Sequence, residues 1–150
     1  LADGVPIAAT GADLVVCNPP FFTTEGRILP ANAQRRIAHY ETTADIFQLA
    51  ACAKVALALG GTSAWVYPWE ARSRLLEALQ AAEFGTVSLA PVVHRPGHQP
   101  ITRCLVSAVA GGPFTLEEQP PIALHPADSD DSRYAPPLEA FVGGLGQLPF

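Results

Sequence analysis

An apolar run that stops at two prolines restricts the fold more than anything else in this chain. Asp13-Leu14-Val15-Val16-Cys17 is followed at once by Asn18-Pro19-Pro20. A short, nearly continuous valine-rich run predicts a strand buried on both faces of a parallel sheet. Proline donates nothing to a sheet ladder, so the strand ends where the prolines begin. Parallel strands need crossover connections, and the downstream sequence contains the parts for them. Thr43–Leu59 places Ile46, Leu49, Ala50, Ala53 and Leu57 at helical spacing, with Asp45 in the first turn and Gly60-Gly61 as the stop. Ser63–Tyr67 predicts a second buried strand, closed by Pro68. Glu70–Glu83 predicts a second helix with a Leu75, Leu76, Leu79, Ala82 stripe, terminated by Gly85.

Thr86–Val93 and Arg103–Val109 predict two further strands joined by the loop His94–Thr102, a spacing that suits an antiparallel hairpin. The order strand, loop, helix, strand, helix, strand, strand predicts an α/β fold: parallel strands of a doubly wound sheet ending in an antiparallel hairpin. Ile122–Leu124 predicts an edge strand and Pro137–Val142 a short helix. Phe21 to Tyr40 has no clean period and predicts a long loop; such loops in compact domains are usually functional.

Composition narrows the class. With 150 residues, 49% of them hydrophobic, the chain can bury the core of one domain and is not disordered. The net charge of −5 resides in residues 111–150, where Arg133 stands against six acidic residues; residues 1–110 balance. That excludes a broad polybasic binder, although clustered arginines can still serve a nucleic acid. Three cysteines without a C-x-x-C spacing argue against a disulfide framework and a zinc knuckle, so a reducing, cytoplasmic setting is expected. Neither a membrane span nor a signal peptide is expected. His94, His98 and His125 are scattered, without a paired acid or cysteine at ligand spacing, so no metal is expected. Trp65 and Trp69 read as core and rim residues of the second strand. Ser63 and Ser73 lack a nucleophile elbow, and Asp128–Asp131 lacks the spacing of a calcium loop.

The chemistry is carried by Asn18-Pro19-Pro20-Phe21, at the carboxyl end of a strand where open α/β sheets bind ligands. Two prolines fix two φ angles and leave outward carbonyls beside one side-chain amide. The Asn18 oxygen and the Pro19 carbonyl can together accept both hydrogens of a planar NH₂ group. Phe21 then offers a flat face to the ring bearing that group. A conjugated amino nitrogen is a poor nucleophile; two acceptors on its hydrogens localise the lone pair for attack on a sulfonium methyl. The competing reading is simple turn punctuation. Arg35 and Arg36, in the long loop, read equally as phosphate contacts or as solvated arginines. His39 and Tyr40 read as base-stacking groups or as loop anchors.

Asn18-Pro19-Pro20-Phe21 resembles the Asn-Pro-Pro-Tyr/Phe motif of class I S-adenosylmethionine-dependent amino methyltransferases. Nearly the whole chain is similar to the C-terminal portion of the bacterial tRNA-Val adenine-N(6) methyltransferase family. Phe22 continues that family's motif, and Arg35 to Glu41 resembles its Arg-x-x-Ala-Arg-His-Glu element. Gly60-Gly61 resembles the turn before its fifth strand, Val93–Val109 its closing hairpin, and Pro120–His125 with Tyr134 its tail. The resemblance implies a Rossmann-like sheet, S-adenosylmethionine as cofactor, and methylation of the exocyclic amino group of adenine in tRNA. It implies Asn18, Pro19, Pro20 and Phe21 as the catalytic segment, Asn18 also touching the cofactor, and Phe21, Phe22, Arg35, Arg36 and His39 as substrate contacts.

The chain departs from the family at His39-Tyr40-Glu41, where the family has Arg-His-Glu. It also contains no counterpart of the family's glycine-rich turn and no methionine, so residues 1–150 are expected to be the C-terminal portion of one domain whose cofactor half is missing. Protein glutamine and ribosomal guanine-N(2) methyltransferases share the tetrapeptide and are the alternatives within the class. A non-catalytic fragment or binding module, self-associating through the open edge of Asp13–Cys17, is the alternative outside it.

Overall fold

The computed structural model describes residues 11–19, 45–128 and 133–136. Along the chain run β1 (Ala12–Cys17), α1 (Ile46–Ala56), β2 (Leu57–Pro68), a 3₁₀ turn (Trp69–Ala71), α2 (Arg72–Ala81), β3 (Phe84–Val93), β4 (Arg103–Ala110), β5 (Thr115–Glu118) and β6 (Ile122–Ala123). They form a mixed sheet in the order β1-β2-β4-β3-β5, with β6 paired to the carboxyl end of β3. β1 is parallel to β2, and β5 is parallel to β3. β4 is antiparallel to both β2 and β3. The α/β class and the antiparallel hairpin agree with the sequence reading. The return strand of that hairpin does not end the sheet, however. It fills the place between β2 and β3, where Val106 faces Trp65 on one side and Leu89 on the other. β1, β2 and β3 therefore all point the same way.

β4 alternates strictly: Cys104, Val106, Ala108 and Ala110 are buried, while the residues between them are half-buried. The buried face continues through Ser63, Trp65 and Tyr67 of β2 and Val87 and Leu89 of β3. Ile46, Ala50 and Ala53 of α1 and Leu75, Ala78 and Leu79 of α2 close over it. Burying each large aliphatic side chain in this layer contributes about 1.5–3 kcal/mol. Both helices cover the same face, and this corrects the expectation of doubly buried strands. In β1 only Val15 and Cys17 reach the core, while Leu14 is 58% and Val16 72% exposed. Among the described residues nothing covers that second face.

Helix boundaries also shift. α1 is three turns rather than five: its N-cap is Asp45, whose backbone N–H donates to Gln48 Oε1 at 3.2 Å, and the chain becomes extended at Leu57. Gly60-Gly61 lies inside β2, not at a helix stop. A Cβ on Gly61 would sit 2.8 Å from the Ala12 carbonyl oxygen, so the glycine permits a close strand approach where the β1–β2 register shifts. α2 begins after the 3₁₀ turn and ends at Ala81. The left-handed residue beyond it is Glu83, at φ 59°, rather than Gly85. The Glu83 carbonyl accepts a 2.7 Å hydrogen bond from Lys54 Nζ, which ties the two helix ends together. β5 was not legible: its four residues are all exposed, and Glu117 and Glu118 suit a sheet edge rather than a core. The helix expected at Pro137–Val142 and the loop Phe21–Tyr40 lie outside the described residues.

Ser63 is a buried hydroxyl with a defined task. It accepts from Trp65 Nε1 at 2.9 Å and donates to the Ala108 carbonyl at 3.3 Å. Ser63→Ala strands the indole N–H in a closed core and is expected to cost about 1–3 kcal/mol. Urea unfolding followed by tryptophan fluorescence reads that loss; a change under a few tenths would show that the hydrogen bond contributes nothing.

Candidate active site

The parallel orientation of β1, β2 and β3 gathers the residues that follow them at one end of the sheet. Asn18 and Pro19 follow β1, Trp69 follows β2 and His94 follows β3; Arg103, at the start of β4, pairs with Pro68 and Val92. A backbone bond from Trp69 N to the Thr102 carbonyl, 3.1 Å, fastens the end of β2 to the 94–102 loop. Asn18 is exposed and Pro19 is buried, so the proline anchors the turn while the amide faces outward. Of the expected site residues, Asn18 and Pro19 are described, both at the carboxyl end of β1. Pro20, Phe21, Phe22, Arg35, Arg36 and His39 lie outside the described residues.

Cys17 precedes Asn18 and stands opposite Trp65. Burial pushes its thiol up to about 11. Cys104 is likewise pushed up to about 11 by burial, partly offset by the charges of Arg72 and Arg103, and donates to the Tyr67 carbonyl at 3.4 Å. The thiolate fraction of such a group is only about one in a thousand at pH 8, so burial leaves both weakly reactive near neutral pH. Alkylation of Cys17 by iodoacetamide is expected to be slow at pH 8 and to rise about tenfold per pH unit up to about pH 11, since the thiolate is the reacting form. Mass mapping checks this, and rapid labelling at pH 8 would contradict the packing of β1.

Two features at this end escaped the sequence reading. Arg72 lays its guanidinium 4.0 Å from the Trp69 ring centroid and donates from Nη1 to the Trp69 carbonyl at 2.7 Å. The histidines read as scattered are brought together. Ring centroids run His98 to His94 at 5.6 Å, His94 to His125 at 4.8 Å, and His125 to Tyr134 at 5.7 Å. The His94 carbonyl accepts from the His125 backbone N–H at 3.0 Å, which holds the chain after β6 against the end of β3. The Arg133 carbonyl lies 2.7 Å from His125 Nδ1, so Nδ1 carries a proton and donates. The only sequence hint was the four-residue step from His94 to His98 across a Pro-Gly turn. Among the described residues no group of three histidine, cysteine or acidic side chains could hold a metal ion, and no helix is long and apolar enough to cross a membrane.

An open groove lined by Lys54, Gln80, Glu83, Phe84 and Phe114 lies at the opposite end of the sheet, where β3 begins. It is remote from Asn18.

No protein-family model and no curated protein sequence matches this chain. Solved structures do. A predicted O-methyltransferase from Agrobacterium tumefaciens superposes with a TM-score of 0.67 at 17% identity, over 93% of this chain and 55% of that one. The chain thus spans about half the length of that structure, and it has the mixed α/β fold of a methyltransferase.

Proposed function

We propose that this chain is part of an S-adenosylmethionine-dependent amino methyltransferase that acts on the exocyclic amino group of adenine in tRNA. The observation that carries the reading is Asn18, exposed on a turn anchored by buried Pro19, at the carboxyl end of a parallel strand in a methyltransferase fold. When bound, S-adenosylmethionine supplies an electrophilic methyl group. Asn18 and Pro19 would accept hydrogen bonds from the two N–H groups of the target nitrogen and orient its lone pair; the proton shed after methylation is acidic enough to pass to water, so no strong base is needed. The Asn-Pro-Pro segment favours nitrogen over oxygen as acceptor, because an oxygen nucleophile has no second hydrogen to give. Asn18 and Pro19 are the described residues that support the acceptor side of this reading. The resemblance to the tRNA family and the share of the matched structure covered both support a cofactor half contributed by chain outside these 150 residues.

Methyl-labelled S-adenosylmethionine, a cell extract and the full enzyme test the proposal directly. Label is expected in small RNA and not in protein. Label in protein would overturn the reading in favour of a glutamine methyltransferase, and label in ribosomal RNA guanine in favour of that alternative.

A further inference from the structure

The topology gathers four arginines and a series of rings at one end of this acidic molecule. Arg72, Arg74, Arg95 and Arg103 all stand where β2 and β3 end or β4 begins. The backbone of Arg133 also reaches this end, its carbonyl accepting from His125. Lys54, the remaining basic residue among those described, is held at the other end by the Glu83 carbonyl. Of the acids at this end, Asp45 is engaged by Arg74 at 2.6 Å, while Glu70 stands exposed in the turn between Trp69 and Arg72 and Asp128 follows closely on Pro126. The acidic pair Glu117-Glu118 lies on the outermost strand, flanking β3. The same end carries the Trp69–Arg72 stack, whose indole is half-buried with part of it packed against the core, and the ring series that terminates in exposed His98.

We infer that this end of the sheet is a single-stranded RNA platform, with Trp69–Arg72 and the His94–Arg95–His98 turn as its two contact points. The inference rests on the proposed tRNA reading and deepens it, because it assigns substrate contacts outside the Asn18 turn. Single-stranded nucleic acid is held by a cationic track interleaved with flat side chains, since every base has a π-face and every nucleotide a phosphate. From β1 to β3 are three strand spacings, roughly 14 Å. A base held at Asn18 therefore leaves its neighbours in the strand to pass over Trp69–Arg72 and on to the histidine turn. Arg95 is positioned for this: its Nη1 donates to the Pro126 carbonyl at 3.0 Å, which holds the guanidinium beside the ring series. The glutamates of β5 repel phosphate and bound the track on its far side.

The test uses the full enzyme and a fluorescein-labelled RNA stem-loop with an adenosine in its loop, read by anisotropy over a range of salt concentrations. The double variant Arg95→Ala/His98→Ala is expected to weaken binding about tenfold or more and to lower the salt slope by about one. Trp69→Leu is expected to weaken it about tenfold with the slope unchanged, as stacking requires. Gln80→Glu, at the opposite end, should leave binding unchanged, and thermal unfolding confirms that each variant is folded. Binding within twofold of wild type in both the double variant and Trp69→Leu overturns the inference. Labelling separates the two claims. If the full enzyme methylates small RNA while these variants keep wild-type affinity, the platform fails and the function stands. If label enters protein and the stem-loop does not bind, both fail.

Discussion

Gly85→Ala is expected to cost about 3 kcal/mol of folding stability, near the upper end for overpacking. A Cβ at this position would lie 1.9 Å from the Gly111 carbonyl oxygen and 2.9 Å from its carbon. Both are backbone atoms, so no rotamer change relieves the collision. The start of β3 must move away from the end of β4, and the Phe84–Ala110 pair is lost with it. Phe84 and Ala110 are both buried core residues, so the movement also opens the layer under α1 and α2. Gly97 provides the contrast. It has φ +73° but nothing within 4 Å of an added Cβ, so Gly97→Ala bears only the backbone penalty of about 1–2 kcal/mol. Urea unfolding of the two variants side by side is the measurement. A loss at Gly85 no larger than that at Gly97 would mean that the strands do not approach as closely as described. Against a typical domain stability of about 5–15 kcal/mol, the expected loss is a large fraction of the total.

Asn18→Ala is expected to lower kcat for RNA methylation by about a hundredfold or more while leaving stability unchanged. The side chain is exposed, so its removal leaves no cavity. On the proposed chemistry it removes one of two acceptors for the reacting nitrogen, and single preorganised groups of this kind are worth about 10²–10³ in rate. The interaction strengthens as the nitrogen becomes tetrahedral, so kcat should fall while KM for RNA moves by no more than a few-fold. The Arg95/His98 variant should show the reverse pattern, raised KM with kcat preserved. An Asn18→Ala enzyme that retains kcat within about threefold would remove the amide from the proposed chemistry.

How much of this was legible depends on whether the deciding interaction was local. Asp13–Cys17 could be read as a strand because its pattern and its proline stop are contiguous. Its burial could not, because that depends on both helices choosing one face. The stripe Leu75, Leu79 is intrinsic to a helix and emerged as read, with Ala78 completing it. Gly60-Gly61 and Gly85 were read as helix stops because glycine does terminate helices. Each instead answers to a backbone distant in sequence, Ala12 for Gly61 and Gly111 for Gly85. The same holds at the site. Asn18-Pro19 was legible because its chemistry sits in consecutive residues. The His94–His125 contact joins residues far apart in the chain and exists only because β6 pairs with the end of β3.

The position of β4 has a consequence for biosynthesis. The strand in the middle of this sheet is translated after both of the strands it pairs with. While residues 69–102 emerge from the ribosome, β2 and β3 exist with a slot between them that nothing upstream can fill. The domain cannot complete itself as it is made, and its two growing edges stay sticky until residues 103–110 arrive. Shortening the chain from its C-terminal end should therefore be abrupt in effect. Cuts beyond Glu118 trim a rim, whereas a stop codon before Arg103 removes the keystone and leaves the β1–β2 pair and a lone β3 with no way to meet.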